Sequence, residues 1–323
     1  MKLSEIYLYL KQDISKIEKE IESSIDAQHP VLVQASSHLL KAGGKRIRPV
    51  FVLLGAQFGQ YDLERVKLVA VPLEMIHMGS LVHDDVIDDA ELRRGRKTIK
   101  AKWDNRVAMY TGDYMFAKAI EIASESQEPL LHEILSDAMV EMCIGEVEQI
   151  KDQFNADQNL KIYLRRIKRK TALLISVSCE LGALIAGADR HVQKCLKRYG
   201  YFTGMAFQIT DDILDFVGTE KELGKPAGSD LLQGNVTLPA LYAMERDEEL
   251  KKEITQFLIS KGTGSVDMDS IISKIKGTGA VKDAKIMADL YLEKAKTALS
   301  DLPDIRAKRA LFEIAQYIGD RKF

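Results

Sequence analysis

The chain of 323 residues has 46 Lys and Arg against 48 Asp and Glu, a formal net charge of −2, and 46% hydrophobic residues. This composition is typical of a soluble globular protein with a sizeable core, and it excludes a disordered chain and a generally basic nucleic-acid binder. Three widely spaced cysteines, Cys143, Cys179 and Cys195, form no Cys-x-x-Cys pair. They favour buried thiols in a reducing, cytoplasmic setting.

The sequence shows neither a secretory signal nor a membrane span. Its first residues carry a charge every few positions and lack the apolar core of a signal peptide. The most apolar span, Leu173 to Gly187, contains Glu180 and is shorter than the ~20 residues that cross a bilayer. We therefore expect a soluble, cytoplasmic protein without a transmembrane segment.

Apolar residues recur at every third or fourth position along most of the chain, which is the period of an amphipathic helix. No alternating strand pattern persists for more than a few residues. We predict a single all-α bundle over residues 1–323, although the length alone would permit two domains. The main predicted helices are Ile6 to Ile25, Val50 to Phe58, Thr111 to Ala123, His132 to Ile150, Asn235 to Met244, Val281 to Leu299 and Ile305 to Ile318.

The first candidate binding element is the segment Gly43-Gly44-Lys45-Arg46-Ile47-Arg48-Pro49. Glycines let the backbone approach a ligand closely, and Lys and Arg side chains donate hydrogen bonds to phosphate oxygens. The segment is not a P-loop, because Gly-Lys-Ser/Thr is missing. A helix C-cap with dipole-complementing cations is the alternative interpretation.

The stretch from Leu81 to Gly95 contains four aspartates within six positions. In a helix, Asp84 and Asp88 lie on one face about 5.4 Å apart. Two carboxylates at that distance repel each other, so the pattern predicts a bound cation, and Mg²⁺ is the ion that suits hard oxygen ligands. A solvated helix end is the alternative.

The residues before this cluster predict an apolar channel. Stepping back from Asp84 along one helix face gives Ser80, His77, Ile76 and Leu73, with Gly79 beside them. Small residues one turn before the aspartates leave room for a long apolar ligand. His77 is predicted to donate a hydrogen bond to a phosphate, with a buried core histidine as the alternative.

A basic tract, Arg165 to Lys170, leads into Thr171 and an apolar run. Nucleic-acid binding would need wider basic and aromatic support than the sequence contains. We expect most of the tract to form a solvated helix face, with Lys170 and Thr171 at the start of a buried helix and able to reach inward.

A second Asp-Asp-x-x-Asp motif, formed by Asp211, Asp212 and Asp215, repeats the first one. Its recurrence argues against two solvated faces. The polar loop after it, Gly218 to Gly234, contains Lys225 and Asp230 and is predicted to be a mobile cover over phosphates, with an ordinary surface loop as the alternative.

Two carboxylate clusters facing each other, together with nearby cations, predict a cage of more than one Mg²⁺ ion around a diphosphate. No signature of a Ser or Cys nucleophile accompanies them. Metal ions at a departing diphosphate would stabilise its developing charge and leave an allylic cation, which an alkene attacks.

Six motifs, in order along nearly the whole chain, resemble those of trans-isoprenyl diphosphate synthases. The resemblance implies an isoprenoid-synthase bundle of antiparallel helices around a central apolar tunnel. The motifs are the two Asp-Asp-x-x-Asp sequences, Gly-Gly-Lys-Arg-Ile-Arg-Pro at Gly43, His-x-x-Ser-Leu-Val-His-Asp-Asp at His77, Leu-Arg-Arg-Gly at Leu92 and Gly-Lys-Pro-Ala-Gly-Ser-Asp-Leu at Gly224.

The resemblance also implies roles for individual residues. The expected catalytic residues are Asp84, Asp85, Asp88, Lys170, Asp211, Asp212 and Asp215, of which Asp84, Asp88, Asp211, Asp212 and Asp215 bind Mg²⁺. The expected isopentenyl diphosphate contacts are Lys45, Arg48, His77 and Arg94. The expected contacts to the allylic diphosphate are Arg93, Lys170, Thr171, Gln208 and Lys225. In this mechanism the released diphosphate removes the final proton.

The chain most resembles the catalytic large component of bacterial two-component synthases that supply the menaquinone side chain. This resemblance implies farnesyl diphosphate as the primer and heptaprenyl diphosphate as the product. It also implies a small non-homologous partner subunit and transient contact with a membrane during product release. Leu73, Ile76, Gly79 and Ser80 are the expected chain-length residues. Alternatives are a homodimer, a hexaprenyl, octaprenyl or geranylgeranyl product, a terpene cyclase and a non-catalytic regulatory subunit.

Overall fold

A computed structural model describes residues 2–218, 226–262 and 267–321, and confirms the all-α prediction. The only strands among these residues, β1 (Leu92–Arg93) and β2 (Arg96–Lys97), have two residues each and form an antiparallel hairpin. The helices are α1 (Leu3–Ser24), α2 (Pro30–Lys41), α3 (Ile47–Ala56), α4 (Leu63–Ile87), α5 (Ile99–Lys102), α6 (Asn105–Ala123), α7 (Pro129–Asp152), α8 (Leu160–Ile167), α9 (Leu173–Ile185), α10 (Arg190–Val217), α11 (Ser229–Leu232), α12 (Leu238–Arg246), α13 (Glu248–Ile259), α14 (Met268–Gly277), α15 (Ala280–Ala298) and α16 (Arg306–Gly319).

Helices α13 and α14 were not predicted. In α13 the buried residues Leu250, Ile254, Phe257 and Leu258 follow a helical stripe, and Asp247 caps the N-terminus by accepting hydrogen bonds from Glu249 N and Leu250 N, both at 3.0 Å. This pattern is readable in the sequence.

Helix α4 carries the first aspartate motif and is the long buried helix of its region. Asp62 caps its start by accepting a hydrogen bond from Glu64 N at 3.0 Å, and Pro72 lies inside the helix. By length and composition α4 could cross a membrane, but 67% of its most apolar window is buried in the protein. Burial of this kind is typical of a core helix.

The chain divides into two compact units. The first unit comprises Met1–Leu135, Val177–Leu196 and Pro303–Ala310, and the second comprises Ser136–Ser176, Lys197–Leu302 and Leu311–Phe323. That residues 1–323 act as a single domain around one central tunnel stays a prediction.

Glycines allow close helix crossings in the first unit, where α4 packs against α1, α3 and α6. A Cβ on Gly182 in α9 would lie 2.3 Å from the carbonyl oxygen of Val52 in α3, and one on Gly55 would lie 2.7 Å from Cys179 O. No side chain fits at these distances, so both glycines are required for the contact between α3 and α9.

A second close crossing brings α4 against α6. A Cβ on Gly79 would lie 3.0 Å from Gly112 O, and one on Gly112 would lie 2.3 Å from His83 Nε2. The missing side chain of Gly79 therefore leaves room for α6, a packing role that the sequence analysis did not foresee.

The core of the second unit forms around the second half of α10. Ile209, Ile213 and Phe216 are fully buried there among apolar residues of α12 and α15. A Cβ on Gly204 would lie 2.5 Å from Ala172 Cα, so this glycine lets α10 approach the chain between α8 and α9. The core therefore fixes the helix that carries the second aspartate motif.

The prediction of three buried thiols is wrong for two of them. None of the three cysteines forms a disulfide, but only Cys179 is buried; Cys143 is exposed and Cys195 is half-buried. Burial raises the pKa of the Cys179 thiol above its usual range, which makes this thiol unreactive.

The crossing of α3 and α9 yields a stability prediction. Replacing Gly182 by Ala forces a methyl group against Val52 O, and overpacking of this kind costs about 1–3 kcal/mol. We expect a lower chemical-denaturation midpoint for Gly182→Ala.

Gly277→Ala is the matched control, because nothing lies within 4 Å of a Cβ at this helical position. Ala is a better helix former than Gly by roughly 0.5–1 kcal/mol, so this variant should be as stable as the wild type or more stable. Equal midpoints for the two variants would contradict the tight crossing.

Candidate active site

Gly43 and Gly44 are required by the backbone and by a neighbouring arginine. Both residues have positive φ, +76° and +151°. A Cβ on Gly44 would also lie 2.5 Å from Arg94 Nη1, so the guanidinium of Arg94 packs directly over the glycine backbone. The paired glycines thus place the segment after α2 next to a predicted substrate-binding cation.

The hairpin β1–β2 presents the two arginines of the Leu-Arg-Arg-Gly motif. Its turn residues, Arg94 and Gly95, have φ values of 53° and 74°, the left-handed conformation of a type I′ turn. Glycine adopts this conformation easily, whereas arginine does so rarely. Such strain is characteristic of functional sites.

The cations of the Lys45 to Arg48 segment have three different environments. Lys45 is exposed. Arg46 is buried and donates to Glu18 Oε1 at 2.9 Å, Glu74 Oε1 at 3.1 Å and Leu40 O at 3.2 Å. Arg46 therefore holds α1, α2 and α4 together, a structural role that its sequence position did not distinguish from ligand binding.

Arg48 is buried, and its Nε has no hydrogen-bond partner among the described residues. Burial lowers the pKa of Arg48 to about 10, and the nearby Glu74 carboxylate opposes this shift. The side chain remains charged at neutral pH. A buried donor without a partner is costly, and an anionic ligand would satisfy it.

His77 lies among these guanidinium groups. Burial lowers the pKa of His77 well below its usual range, and the charges of Arg48 and Arg94 act in the same direction. The imidazole is therefore neutral at physiological pH and offers one N–H donor. Repulsion among the cations would be relieved by an anion between them.

A narrow crevice joins several of these groups. Predicted site residues His77, Arg93 and Arg94 line it together with Gly43, Arg46 and Glu74. Lys45 and Arg48, also predicted to bind isopentenyl diphosphate, are not among its lining residues. The crevice, called here the arginine crevice, presents guanidinium groups whose charge and donors suit a phosphate group.

The first aspartate motif lies at the C-terminal end of α4, with Asp84 and Asp85 in its last turn and Asp88 directly after it. Asp84 is half-buried, Asp85 is buried and Asp88 is exposed. Asp88 N donates to Asp84 O at 2.8 Å, so the helical spacing between these two residues continues to Asp88. The prediction that they share a helix face is consistent with this geometry.

Protein cations neutralise part of this motif. Arg93 donates to Asp85 Oδ1 from Nε at 2.8 Å and from Nη2 at 2.7 Å. Burial raises the pKa of Asp85, and the hydrogen bond from Arg93 opposes that shift. Lys100, which no motif singled out, forms an ion pair with Asp89.

Uncharged groups hold Asp212 in the second motif. Its carboxylate is buried and accepts hydrogen bonds from Tyr163 Oη at 2.7 Å and from Gln208 Nε2 at 2.8 Å. Burial raises the pKa of Asp212 to about 7, and the charge of Asp230 adds to the shift. Tyr163 was missed by the sequence analysis, since a tyrosine on an apolar helix face resembles a core residue.

A π-helical turn, Lys168–Ala172, connects the basic tract to the same network. Thr171 Oγ1 donates to Gln208 Oε1 at 2.6 Å, so two predicted substrate contacts are linked to Asp212. Lys170 is exposed, and its Nζ donates to Gln149 Oε1 at 2.9 Å. Single π-turns are frequent at functional sites, and this one is not visible in the sequence.

The prediction that the basic tract forms a solvated helix face is wrong at two positions. Arg166 is buried and donates to Gln158 Oε1 at 2.9 Å and Val236 O at 2.7 Å. Arg169 pairs with Glu141 and Glu148. Both arginines therefore stabilise the protein rather than face solvent.

Asp215 links the second motif to the chain beyond the undescribed residues 219–225. The Asp215 carboxylate accepts from Ser229 Oγ at 2.8 Å and from Asp230 N at 3.2 Å. The predicted substrate contact Lys225 lies outside the described residues. Asp211 is half-buried and pairs with Arg321, another residue that the sequence analysis missed.

The expected chain-length residues occupy one face of α4 in different environments. Leu73 and Ile76 are fully buried. Ser80 is half-buried and donates to His77 O at 2.9 Å, whereas Gly79 contacts α6. Their control of product length stays a prediction.

The donor chemistry of the aspartate motifs fits a hard divalent cation. Carboxylate oxygens are the ligands that such ions prefer, and Arg93, Lys100 and Arg321 already place positive charge against them. Within the described residues, no three His, Cys, Asp or Glu side chains form a ready metal-binding group.

Comparisons with known proteins agree over nearly the whole chain. A family model described as polyprenyl synthetase matches residues 29–275. Heptaprenyl diphosphate synthase component 2 of Bacillus subtilis is 57% identical over 323 residues, which are 100% of this chain and 92% of that protein.

Two solved structures are similar in both sequence and fold. The heptaprenyl diphosphate synthase of Staphylococcus aureus is 43% identical with a TM-score of 0.92, covering 97% of this chain and 98% of that one. A polyprenyl synthase of Caulobacter crescentus, complexed with calcium and isoprenyl diphosphate, is 31% identical with a TM-score of 0.93, covering 99% and 98%. Its calcium is consistent with the use of divalent metal by such proteins.

An arginine crevice beside one aspartate motif, a second motif held by a hydrogen-bond network, and similarity over the full length have one common explanation. The chain belongs to the polyprenyl synthetase family.

Proposed function

We propose that this chain is the catalytic component of a heptaprenyl diphosphate synthase. It condenses isopentenyl diphosphate head-to-tail onto an allylic diphosphate, with farnesyl diphosphate as the expected primer, and forms an all-trans product. The observation that carries the proposal is the pairing of two aspartate motifs with an arginine crevice in a chain 57% identical to a component 2 protein.

The arginine crevice is the proposed site for isopentenyl diphosphate. Arg48 and Arg94 are cations. His77 is a neutral hydrogen-bond donor, so it adds no further positive charge beside them. Arg48 does not line the crevice, but its charge acts on His77 inside it, and it is proposed to attract the same diphosphate. Lys45, exposed beside them, is proposed to contact the same diphosphate from the rim.

The aspartate motifs are the proposed site of the allylic diphosphate. Asp84, Asp88, Asp211, Asp212 and Asp215 would hold Mg²⁺, which when bound supplies positive charge to the departing diphosphate. We propose that both motifs act on the same leaving group. Arg93, Lys170, Thr171, Gln208 and Lys225 are proposed to contact it, and the hydrogen-bond network that ends at Asp212 orients Thr171 and Gln208.

The proposed reaction needs no side-chain base. The bond between the allylic carbon and the diphosphate oxygen breaks, the double bond of isopentenyl diphosphate attacks that carbon, and the released diphosphate accepts the proton that is lost. Desolvation of Asp85 in the first motif and of Asp212 in the second favours the binding of positive charge at each motif.

The partner and the cellular setting are also proposals. Component 2 in the name of the Bacillus relative supports a second, small subunit for this chain, with a homodimer as the alternative. We propose a cytoplasmic enzyme that contacts a membrane during product release, because a product of this length is strongly apolar.

The first test asks whether the chain works alone. Purified chain is incubated with farnesyl diphosphate, labelled isopentenyl diphosphate and Mg²⁺, with and without the candidate small subunit, and the dephosphorylated products are sized. We expect a heptaprenyl product with both subunits. A cyclic hydrocarbon, or phosphate release that does not require isopentenyl diphosphate, would overturn the transferase assignment.

Asp84→Ala tests the first motif. Loss of a group that anchors a charge-stabilising metal should lower turnover at least ~10²-fold, measured in the same assay. The control is Asp269→Ala, which removes an exposed aspartate from the first turn of α14. Wild-type turnover by Asp84→Ala would contradict the role of this motif.

Substitutions on α4 test the control of product length. Ile76→Gly should lengthen the product and Ser80→Phe should shorten it, because each helical turn advances the wall by ~5.4 Å, roughly one isoprene unit. Met75→Gly is the matched control, since Met75 is equally buried on a different face of the helix. A product distribution unchanged by both Ile76→Gly and Ser80→Phe excludes this face of α4 as the length determinant.

A further inference from the structure

The three carboxylates of the second aspartate motif differ in what holds them. Asp212 and Asp215 are buried and accept hydrogen bonds from uncharged donors: the hydroxyl groups of Tyr163 and Ser229, the amide of Gln208 and a backbone N–H. These donors carry no positive charge. Asp211 instead forms an ion pair with Arg321, which follows α16.

Arg321 is held against α10 by two contacts that lie one helical turn apart. Its guanidinium bonds to Asp211 Oδ1, and its Cζ lies 5.4 Å from the centre of the Phe207 ring. Residues four apart share one helix face. The cation–π contact with Phe207 therefore orients the guanidinium toward Asp211.

A divalent cation and the guanidinium compete for the same oxygen. A metal ion that binds Asp211 must displace Arg321 from Oδ1, or must bind with a positive charge as its close neighbour. Both effects weaken metal binding, since like charges repel and the ion pair must be broken.

We infer that Arg321 is a resident counter-ion of the second aspartate motif, which lowers the affinity of Asp211 for divalent cations. This inference rests on the proposed role of Asp211 as a metal ligand. It assigns to Arg321 a function in the metal dependence of the reaction: the carboxylate is neutralised until metal arrives, and metal binding then frees a guanidinium beside a site for an anion.

The test measures binding of Mn²⁺ alone to the metal-free full chain, with free Mn²⁺ followed by electron paramagnetic resonance. Asp211 and Arg321 are partly exposed, with side-chain exposures of 36% and 24%. For such a pair we expect R321Q to bind Mn²⁺ about five-fold more tightly, the factor that corresponds to about 1 kcal/mol. R321K keeps the charge and should stay within about two-fold of the wild type.

R309Q is the matched control. Arg309 forms a well-aligned pair with Asp304, with Nε at 3.0 Å and Nη2 at 2.7 Å, away from both aspartate motifs in the sequence. This variant removes the same net charge and should bind Mn²⁺ like the wild type. Equal tightening by R309Q and R321Q would mean a general charge effect and would overturn the inference.

Two outcomes separate this inference from the proposed site. If R321Q binds Mn²⁺ no more tightly than the wild type, including no binding by either protein, Arg321 is not a competing counter-ion. If D211N binds Mn²⁺ as tightly as the wild type, Asp211 is not a metal ligand and the proposed site itself is wrong. Circular dichroism of each variant confirms that the fold is retained.

Discussion

The close approach of like charges is the constraint on which this structure depends. Arginines surround a neutral histidine in the arginine crevice, and aspartates follow one another at helical spacing in both motifs. Such groups repel unless a countercharge lies near them. The protein supplies part of it: Glu74 beside Arg48, Arg93 beside Asp85, and Arg321 beside Asp211. Diphosphates and divalent cations are complementary to the charge that remains.

The helices hold these charges through contacts that allow little adjustment. Gly44 passes under the Arg94 guanidinium, Gly112 accommodates the His83 ring, and Gly204 meets the backbone of the π-turn. At each position a single added carbon atom would displace a residue at or beside the proposed site. The network from Thr171 through Gln208 to Asp212 then transmits the position of the π-turn to the second motif. The positions of the charged groups therefore depend on the close packing at these glycines.

Sequence reasoning failed where two residues of one type have different surroundings. Arg46 and Arg48 are two positions apart, yet Arg46 joins three helices, while the buried Nε of Arg48 has no hydrogen-bond partner among the described residues. Arg166 and Arg169 belong to a tract that reads as a solvated face, but they bind buried or acidic partners. Gly79 reads as space for a ligand and instead contacts α6. In each case the partner comes from a distant part of the sequence.

The all-α class, most helices and both aspartate motifs can be predicted from the sequence, because helical periodicity and the spacing of acidic residues are local properties of the chain. The sequence also carries the family resemblance, which predicts that His77, Arg94 and Gln208 are site residues. The tertiary structure alone shows where the π-turn lies, that Lys100 pairs with Asp89 beside the first motif, and that Tyr163 and Arg321 contact Asp212 and Asp211 of the second motif. These features depend on contacts between residues far apart in the chain, and no local pattern records such contacts.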